Sequence, residues 1–172
     1  MLTVGVALPI PEPWGEELKQ FRLGLGDDQA QHIPTHITLL PPTPIAGHVL
    51  PALREHLSQV GAHHPSFKVV LRGTGTFRPL SDVVFIQVAR GVAWCEKLEQ
   101  QVRHGPVNRQ MSFPYHPHVT IAHNVDEAAL DHAFDTLAYF TADYVASFFR
   151  LYVHDGDEIW RSDTDFALRG PG

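Results

Sequence analysis

The sequence predicts an α+β fold in which two pseudo-symmetric lobes face each other across a groove. Segments with the alternation of β-strands and segments with helical spacing of apolar residues follow one another along all 172 residues. The two halves also share one order of elements, in which a strand with a His-x-Thr motif is followed by a helix, a strand, a turn and a strand. No low-complexity linker separates the halves. We therefore expect residues 1–172 to form one bilobal domain.

The first half contains four predicted strands and three predicted helices. In chain order they are strand 2–8, helix 12–25, strand 35–40, helix 49–60, strands 67–71 and 83–89, and helix 92–102. The helices are predicted from apolar residues three or four positions apart, and the strands from short β-rich runs. Pro41-Pro42 is expected to end the second strand, Gly61 to follow the second helix, and Gly73-Thr74-Gly75 and Arg78-Pro79 to form the turn between strands 67–71 and 83–89.

The second half begins after a loop predicted at 105–114. A strand is predicted at 118–122, followed by a helix that begins at Asp126-Glu127 and has an apolar face. Two further strands are predicted at 146–153 and 159–168, on either side of a turn at 154–157. Each half therefore places its His-x-Thr motif on a strand that precedes a helix.

The composition is that of a globular protein that needs no disulfide. Hydrophobic residues make up 44% of the sequence, and the single cysteine, Cys95, cannot form an internal disulfide or a cysteine metal site. No apolar run approaches the roughly 20 residues of a membrane span, and the N-terminus lacks the features of a secretory signal. We therefore expect a cytoplasmic protein that does not associate with a membrane.

The net charge of −6 limits the kind of anionic substrate that the protein can bind. A protein that contacts many phosphates of a long nucleic acid usually carries a net positive charge. An anionic substrate is therefore expected to be small, or to be held in a local positive pocket. The twelve histidines are unusual in number and scattered along the chain, which favours a chemistry based on imidazole.

Two tetrads of one pattern lie at equivalent points of the two halves. They are His36-Ile37-Thr38-Leu39 and His118-Val119-Thr120-Ile121. Residues i and i+2 of a strand share a face, so each tetrad presents an imidazole and a hydroxyl on one face and two aliphatic side chains to the core. If the halves pack with approximate two-fold symmetry, the two polar pairs converge in the groove.

Some His-x-Thr pairs are expected by chance in this composition. Twelve histidines and ten threonines in 172 residues give roughly 0.7 random pairs, and hydrophobic residues at both remaining positions lower this to roughly 0.13. Two complete tetrads therefore exceed the random expectation. The alternative is a pair of strand histidines that are satisfied by hydrogen bonds at a lobe interface and have no chemical role.

Two histidines on opposite sides of a phosphoester can catalyse its hydrolysis or transfer without a metal or another cofactor. A neutral imidazole accepts the proton of the attacking water or hydroxyl, and an imidazolium protonates the departing oxygen. The threonine hydroxyls can donate hydrogen bonds to the non-bridging oxygens, where negative charge increases in the transition state. A Ser-His-Asp hydrolase has weaker support because the sequence contains no Gly-x-Ser-x-Gly motif.

The tetrads resemble the signature of the 2H phosphoesterase superfamily, and in particular its 2′-5′ RNA ligase/RNA cyclic phosphodiesterase branch. The resemblance covers nearly the whole chain, through the opening strand, residues 34–40, Phe77-Arg78-Pro79 before strand 83–89, and residues 113–122. It implies lobes of antiparallel sheet with outer helices around a central groove. It also implies metal-independent action on 2′,3′-cyclic phosphates, 2′-5′ phosphodiesters or related cyclic nucleotides, with an RNA terminus or a small cyclic nucleotide as substrate.

The resemblance also implies roles for individual residues. By motif position, His36 and His118 would be the acid/base pair, and Thr38 and Thr120 the phosphate-binding hydroxyls. One position differs, because the RNA ligase branch often has an arginine two positions after the second tetrad, where this chain has His123. The difference indicates a related subfamily whose substrate can differ from RNA ends.

Four further residues are candidates for substrate binding. Tyr115 and Phe113, on the loop that enters the second tetrad, could stack on a base, although aromatic residues that cover the edge of the core would give the same pattern. Arg78 and Arg109 could supply local positive charge for an anionic substrate in a chain whose net charge is negative, although arginines are common on any protein surface.

The other histidines leave a metal site as an alternative. The candidates are His63-His64 and the group of His116, His118 and His123. Zinc sites usually need three or four protein ligands, and neither HExxH nor a paired cysteine–histidine spacing is present, so we expect no metal. Although His116 shares an apparent face with His118, the proline between them favours an ordinary loop histidine.

The leading functional hypothesis is therefore a phosphoesterase that hydrolyses 2′,3′-cyclic phosphates. A 2′-5′ RNA ligase or phosphodiesterase would use the same groove, and a nucleotide-binding module would keep the groove without turnover. A metallohydrolase is a further alternative. No long heptad pattern or large apolar stripe is present, so we expect a monomer without an obligate protein partner.

Overall fold

Eight strands and four α-helices follow one another along the chain in the computed structural model, which describes residues 1–170. The strands are β1 (Leu2–Pro9), β2 (His36–Ile45), β3 (Phe67–Thr76), β4 (Val83–Arg90), β5 (His118–His123), β6 (Thr141–Ala146), β7 (Phe148–His154) and β8 (Arg161–Ala167). The helices are α1 (Trp14–Gly24), α2 (Leu50–His63), α3 (Val92–Arg103) and α4 (Glu127–Thr136). None of these helices is long and apolar enough to cross a membrane.

All eight strands belong to one antiparallel sheet with the order β6-β3-β4-β5-β2-β1-β7-β8. At its centre, β2 and β5 pair through a single residue pair, Ile37 with Val119, whereas both strands pair over a longer stretch with their other neighbours. This narrow seam divides the sheet into a β2 lobe (β2, β1, β7 and β8) and a β5 lobe (β5, β4, β3 and β6). The predicted α+β fold with two lobes of antiparallel sheet is confirmed.

Each lobe contains strands from both halves of the sequence, which differs from the expected packing of one half against the other. β3 and β4 follow β2 in sequence but lie beside β5, and β7 and β8 follow β5 but lie beside β1. Only Ser147 separates β6 from β7, so the chain passes from one lobe directly into the other. This exchange of strands ties the two lobes together on both sides of the seam.

The helices cover one face of the sheet and leave the other face of the two central strands accessible. α1 and α4 pack against strands of the β5 lobe, α2 packs against β8, and α3 packs against β2. Their apolar residues, among them Leu18, Leu57 and Leu98, join the alternate buried residues of β2 and β5 in one core. Each such buried leucine contributes about 1.5–3 kcal/mol, so the helix-covered face holds the central strands in place.

β2 continues through Pro41-Pro42 to Ile45, so the predicted end of this strand at residue 40 is wrong. β1 pairs with the additional part of β2, as in Val4 with Thr43. On its other side β2 is paired with β5 only at Ile37, which leaves one edge of the proline segment free. A residue without an N–H is tolerated at a free edge, and for this reason the prolines do not end the strand.

Two further predicted boundaries, both at glycines, are wrong. Gly73-Thr74-Gly75 lies inside β3 and is not a turn, and Gly61 lies inside α2 and not beyond its end. A Cβ atom on residue 61 would stand 2.6 Å from the carbonyl oxygen of Ala167, so glycine allows α2 to approach β8 closely. Gly61 and Gly75 serve close packing, whereas Gly73, with a φ of +72°, lies at the register shift between β3 and β4. The chain reverses at Arg78-Pro79, as predicted.

The sequence does not predict β6. The predicted strand 146–153 corresponds to β7 and begins where β6 ends. Ala142 and Ala146 are the buried residues of β6, while Thr141, Asp143 and Val145 are exposed. Small buried residues on an edge strand give a weak alternation of hydrophobicity, which explains why this strand escapes prediction.

Candidate active site

The seam between β2 and β5 places the two tetrads side by side. Ile37 of the first tetrad is paired with Val119 of the second in antiparallel orientation. The neighbours of a residue pair in an antiparallel ladder lie opposite each other in reversed order. His36 is therefore opposite Thr120, and Thr38 is opposite His118. The two His–Thr pairs are related by an approximate two-fold axis through the seam.

Buried aliphatic residues fix the orientation of both tetrads. Ile37, Val119 and Ile121 are fully buried under the helices, and Leu39 is 2% exposed. The histidine and threonine of each tetrad lie on the opposite face and are only partly buried. A one-residue slip of either strand would turn its polar pair into the core, so burial of the aliphatic residues specifies the register of the site.

Both tetrad imidazoles are oriented by the same backbone contact. Nδ1 of His36 lies 2.8 Å from the carbonyl oxygen of Pro34, and Nδ1 of His118 lies 2.7 Å from the carbonyl oxygen of His116. A carbonyl can only accept, so Nδ1 carries the proton in each ring and donates it. In the neutral tautomer, Nε2 of each ring is then an acceptor that can take a proton from a bound molecule.

Both imidazoles have lowered pKa values. Burial lowers the pKa of His36 to about 4, the Pro34 carbonyl acts in the opposite direction, and the charges of Arg22 and His118 lower it further. Burial also lowers the pKa of His118, again against the effect of its carbonyl partner. The charge of each lowered group is disfavoured by loss of water. In the free protein, the neutral form of both imidazoles is therefore favoured, and His36 is neutral at pH 7.

An aromatic cluster surrounds His118 on the side of the β5 lobe. The ring centroids of Phe77 and Phe85 are 5.0 and 5.4 Å from that of His118, both in edge-to-face orientations, and 4.5 Å from each other. His116 contacts the same two phenylalanines and lies 5.9 Å from His118. Gly75 makes room for this cluster, because a Cβ there would stand 2.7 Å from the Phe85 ring.

A cavity of about 660 Å³ opens from one side of the seam. Its walls contain Thr38 and His118, and they do not contain His36 or Thr120. The remaining lining comes largely from the turn after β3 and from the segment between α3 and β5: Leu39, Pro41, Phe77, Leu80, Ser81, Arg109, Gln110, Met111, Ser112, Phe113, Pro114, Tyr115 and His116. The site is therefore asymmetric, with space for an apolar group beside Thr38 and His118.

Two contacts attach the α3–β5 segment to β2. The Tyr115 hydroxyl donates a hydrogen bond of 2.7 Å to the carbonyl of Thr38, and the guanidinium of Arg109 donates to the carbonyl of Pro42. Burial raises the pKa of Tyr115 well above its usual value, so its hydroxyl keeps the proton that it donates. The segment that enters the second tetrad is thus anchored on the strand of the first.

The predicted substrate-binding residues occupy different positions around the site. Tyr115 and Phe113 both line the cavity, and Phe113 is 72% exposed there. Arg78 is turned toward α4, where its guanidinium forms a 2.8 Å ion pair with Asp131. The structure therefore places the two aromatic residues beside the tetrads, whereas the charge of Arg78 is paired with Asp131 of α4.

His123 lies on the same face of β5 as the tetrad imidazole, although it follows His118 by an odd number of positions. The register between β4 and β5 shifts by one residue, because Phe85 pairs with Thr120 but Val84 pairs with Ala122. Such a bulge reverses the alternation beyond it. His123, opposite Val83 at the end of the strand, is returned to the accessible face by this bulge.

The other histidines considered for a metal do not gather at the seam. His64 is fully buried between Phe67 and Trp94, and its Nδ1 donates to the carbonyl of Pro65. His63 is exposed and donates to the carbonyl of Gln59. Within residues 1–170, no group of three or more histidine, cysteine, aspartate or glutamate side chains is arranged to hold a metal ion.

Phe77, Phe85 and His116 are the site neighbours that the sequence does not identify. Phe85 alternates with the buried Val84 and Ile86, but its contact with His118 depends on the pairing of β4 with β5. His116 is favoured as an ordinary loop histidine from sequence, whereas the structure packs its ring beside the second tetrad. The only signal in the sequence is its spacing of two residues from His118, which a strand would place on the same face.

A two-lobed sheet with inward-facing His–Thr pairs on its two central strands defines the 2H phosphoesterase class. The sequence model of the 2′-5′ RNA ligase superfamily matches residues 9–158, which include both tetrads and all but the ends of the chain. The chain belongs to this superfamily.

Two sequence relatives are similar to most of the chain. A protein of Halalkalibacterium halodurans is 26% identical over 124 residues, which cover 72% of this chain and 71% of the relative. A protein of Oceanobacillus iheyensis is 23% identical over 145 residues, which cover 83% and 84% of the two chains. Both relatives are provisionally named as phosphoesterases.

Solved structures share the fold at low sequence identity. Escherichia coli LigT in complex with 3′-AMP superposes with a TM-score of 0.65 at 18% identity, over 98% of each chain. A protein of Thermus thermophilus superposes with a TM-score of 0.66 at 20% identity, over 99% of this chain and 100% of its own. These similarities extend over the whole of both lobes.

Proposed function

We propose that this protein is a metal-independent phosphoesterase that hydrolyses 2′,3′-cyclic phosphates of RNA ends or small nucleotides. The observation that carries the proposal is the convergence of two His–Thr pairs at the seam, each with Nδ1 held by a carbonyl and Nε2 left as the reactive nitrogen. Membership of the 2′-5′ RNA ligase superfamily supports action on a phosphoester. The LigT complex with 3′-AMP supports a nucleotide substrate.

The asymmetry of the site favours one assignment of the acid and the base. The cavity opens beside Thr38 and His118, and the proposal places the nucleoside on this side. With the phosphorus atom at the seam, the sugar oxygen that leaves is then next to His118, and the attacking water approaches from the side of His36. The lowered pKa of His36, about 4, keeps this imidazole neutral at pH 7, as a base must be.

The reaction follows from these positions. Nε2 of His36 removes a proton from water as the water oxygen forms a bond to phosphorus. The bond from phosphorus to one ribose oxygen breaks, and Nε2–H of protonated His118 supplies the proton that makes this oxygen a hydroxyl. The Thr38 and Thr120 hydroxyls donate hydrogen bonds to the non-bridging oxygens, where charge accumulates. The product is a nucleoside phosphomonoester, and proton exchange with solvent restores both histidines.

The proposal is tested by hydrolysis of 2′,3′-cyclic AMP in the presence of EDTA, with the AMP isomer identified by chromatography. We expect turnover that EDTA does not inhibit and that yields one isomer. His36→Ala and His118→Ala should each lower kcat by about 10²- to 10⁴-fold, the usual contribution of general acid–base catalysis. His48→Ala, at an exposed histidine before α2, is the matched control and should keep full activity.

Three results would contradict this function. Wild-type turnover in either tetrad variant, with an unchanged circular dichroism spectrum, would remove the histidines from the chemistry. Loss of activity with EDTA and recovery with a divalent metal would indicate a metallohydrolase. Tight binding of AMP isomers without any hydrolysis would indicate a nucleotide-binding module.

A 2′-5′ RNA ligase is the second candidate because the matching superfamily carries that name. In that reaction an RNA 5′-hydroxyl takes the place of water, and the same two imidazoles would transfer the same protons. Incubation of RNA that ends in a 2′,3′-cyclic phosphate with RNA that begins with a 5′-hydroxyl distinguishes the two. A joined product with a 2′-5′ linkage would favour the ligase, and a free phosphomonoester end would favour hydrolysis.

A further inference from the structure

A third imidazole stands next to the acid/base pair. His116 is exposed, lines the same cavity as Thr38 and His118, and has its ring centroid 5.9 Å from that of His118. Its backbone carbonyl holds Nδ1 of His118. The backbone carbonyl of His116 therefore orients the imidazole of His118, and the side chain of His116 faces the cavity beside that imidazole.

The ring of His116 is held in place, although it is accessible. It packs edge-to-face against Phe77 and Phe85, with centroid distances of 5.5 and 5.3 Å. Within residues 1–170, neither of its ring nitrogens has a protein hydrogen-bond partner. A ring that is fixed by aromatic contacts loses little freedom when it binds a ligand, which favours a binding role.

The charges around this cavity favour an anion. Among residues 1–170, those that line it include no aspartate or glutamate, and its titratable groups are His116, His118, Tyr115 and the Arg109 guanidinium. Arg109 donates to the carbonyl of Pro42. Phe77 and Phe85, the groups of the β5 lobe that face His116, are uncharged. An imidazolium at position 116 would therefore face a bound anion without a competing carboxylate.

We propose that His116 is a phosphate-binding residue, whose imidazolium donates a hydrogen bond to a non-bridging oxygen of the phosphate held between Thr38 and His118. The proposal rests on the proposed function for the position of that phosphate. A 2′,3′-cyclic phosphate carries one negative charge, whereas the phosphomonoester product carries up to two. His116 therefore strengthens the binding of the product more than that of the substrate.

Binding of inorganic phosphate at about pH 6, where histidine side chains can carry charge, tests the proposal without turnover. The dissociation constant is obtained from the shifts of the histidine ring signals in NMR titrations. His116→Gln removes the charge, and His116→Phe keeps an aromatic ring against Phe77 and Phe85. We expect both variants to bind phosphate about three- to tenfold more weakly than the wild type, the range for a charged contact that is open to solvent.

The matched control is His48→Gln, an exposed histidine outside the cavity, which should bind phosphate like the wild type. In a second measurement, the inhibition constant of the AMP product should rise more than the KM of the cyclic substrate in His116→Gln, and kcat should fall as well, because the non-bridging oxygen gains charge in the transition state. A merely structural role would instead shift the ring signal of His118 in the phosphate-free protein.

Unchanged phosphate affinity in His116→Gln or His116→Phe would overturn the proposal, as would a wild-type protein that binds no phosphate. The outcome is separate from that of the proposed function. Phosphate binding that depends on His116 in a protein without hydrolysis would retain the binding site and remove the enzyme. Hydrolysis at the wild-type rate in the His116 variants would retain the enzyme and remove His116 from phosphate binding.

Discussion

The Tyr115 hydroxyl donates a 2.7 Å hydrogen bond to the backbone carbonyl of Thr38, so the loop that enters the second tetrad is anchored on the strand that carries the first. The two lobes share only one residue pair at their seam. This side-chain contact therefore adds a second connection between the tetrads, next to the space where the substrate is proposed to lie. The contact uses only the hydroxyl of Tyr115, and the ring of the same residue packs against the core.

Tyr115→Phe removes this connection and keeps the ring. We expect the free energy of unfolding to fall by about 1 kcal/mol, the net worth of a typical hydrogen bond, because the Thr38 carbonyl loses its partner. We also expect kcat/KM for 2′,3′-cyclic AMP to fall by about tenfold, since a small displacement of one tetrad against the other misaligns the reacting groups. Urea denaturation and steady-state kinetics measure the two effects.

Tyr139→Phe is the matched control, because Tyr139 is 95% exposed and its hydroxyl has no role in the site. It should leave both quantities unchanged. If Tyr115→Phe preserves kcat/KM but lowers stability, the contact is structural only. Equal values for both variants and the wild type would show that the hydrogen bond does not hold the tetrads in register.

The pKa values of the tetrad histidines predict a pH optimum on the acidic side of neutrality. Burial lowers the pKa of His36 to about 4 and also lowers that of His118 below 6.5. The base must be neutral and the acid charged. The active fraction of free enzyme therefore rises through about pH 4, as His36 loses its proton, and falls at a pH below 6.5, as His118 loses its proton. The pH profile of kcat/KM, which reports the free enzyme, should therefore be bell-shaped within this window.

Single variants then identify the two limbs of that profile. If His36 is the base, the residual activity of His36→Ala should only decline with rising pH, because protonated His118 is still required. The residual activity of His118→Ala should only rise through about pH 4. The opposite pair of profiles would reverse the assignment of base and acid, and a flat wild-type profile between pH 5 and 8 would exclude paired histidines.

The part of the site that the sequence predicts depends on local geometry. The period of two residues in a strand links His36 to Thr38 on one face and Ile37 to Leu39 on the other. This relation holds for any extended segment, so it does not require knowledge of the neighbouring strands. For the same reason, the strands and helices with strong alternation or helical spacing are predicted to within a few residues.

The rest depends on pairing between distant segments. The free edge that tolerates Pro41-Pro42 exists because β2 and β5 pair only at their tetrads. The bulge that returns His123 to the accessible face arises from the register of β4 with β5. The contact of Phe85 with His118 requires the glycine of β3 beside it. None of these relations is encoded in a short window of sequence, and each needs the strand order.

The hydroxyl of Thr38 is expected to act mainly in the transition state. Thr38→Val keeps the shape of the side chain and removes the donor, and kcat should fall by about 10²- to 10³-fold, as for loss of one donor to a developing oxyanion. KM should change little, because the extra charge is absent from the bound substrate. Thr38→Ser, which keeps the hydroxyl, should recover most of the activity in steady-state assays.

Thr120→Val should behave in the same way, since Thr120 occupies the equivalent position across the seam. Thr141→Val, at an exposed position on the edge strand β6, is the control and should be fully active. A rise in KM at constant kcat in Thr38→Val would show instead that the hydroxyl binds substrate and transition state equally.

Because Gly75 has no side chain, it leaves space for the aromatic cluster around His118. Substitution of Gly75 should therefore disturb catalysis, although the residue lies outside the tetrads. A Cβ atom at this position would stand 2.7 Å from two atoms of the Phe85 ring, and Phe85 in turn contacts His118. Gly75→Ala should therefore lower the free energy of unfolding by about 1–3 kcal/mol, as for other overpacked sites. It should also lower kcat/KM by about ten- to a hundredfold through displacement of the imidazole.

Gly24→Ala at the end of α1 is the matched control, because nothing lies within 4 Å of the added methyl group. It should be as active as the wild type and at least as stable, since alanine favours a helix. The double variant Gly75→Ala/Phe85→Leu removes the ring that the new Cβ meets. Recovery of stability without recovery of kcat/KM would separate the two consequences, because the space is restored while the aromatic support of His118 is not. Full activity in Gly75→Ala alone would show that the imidazole is held in place by its carbonyl partner and not by the aromatic cluster.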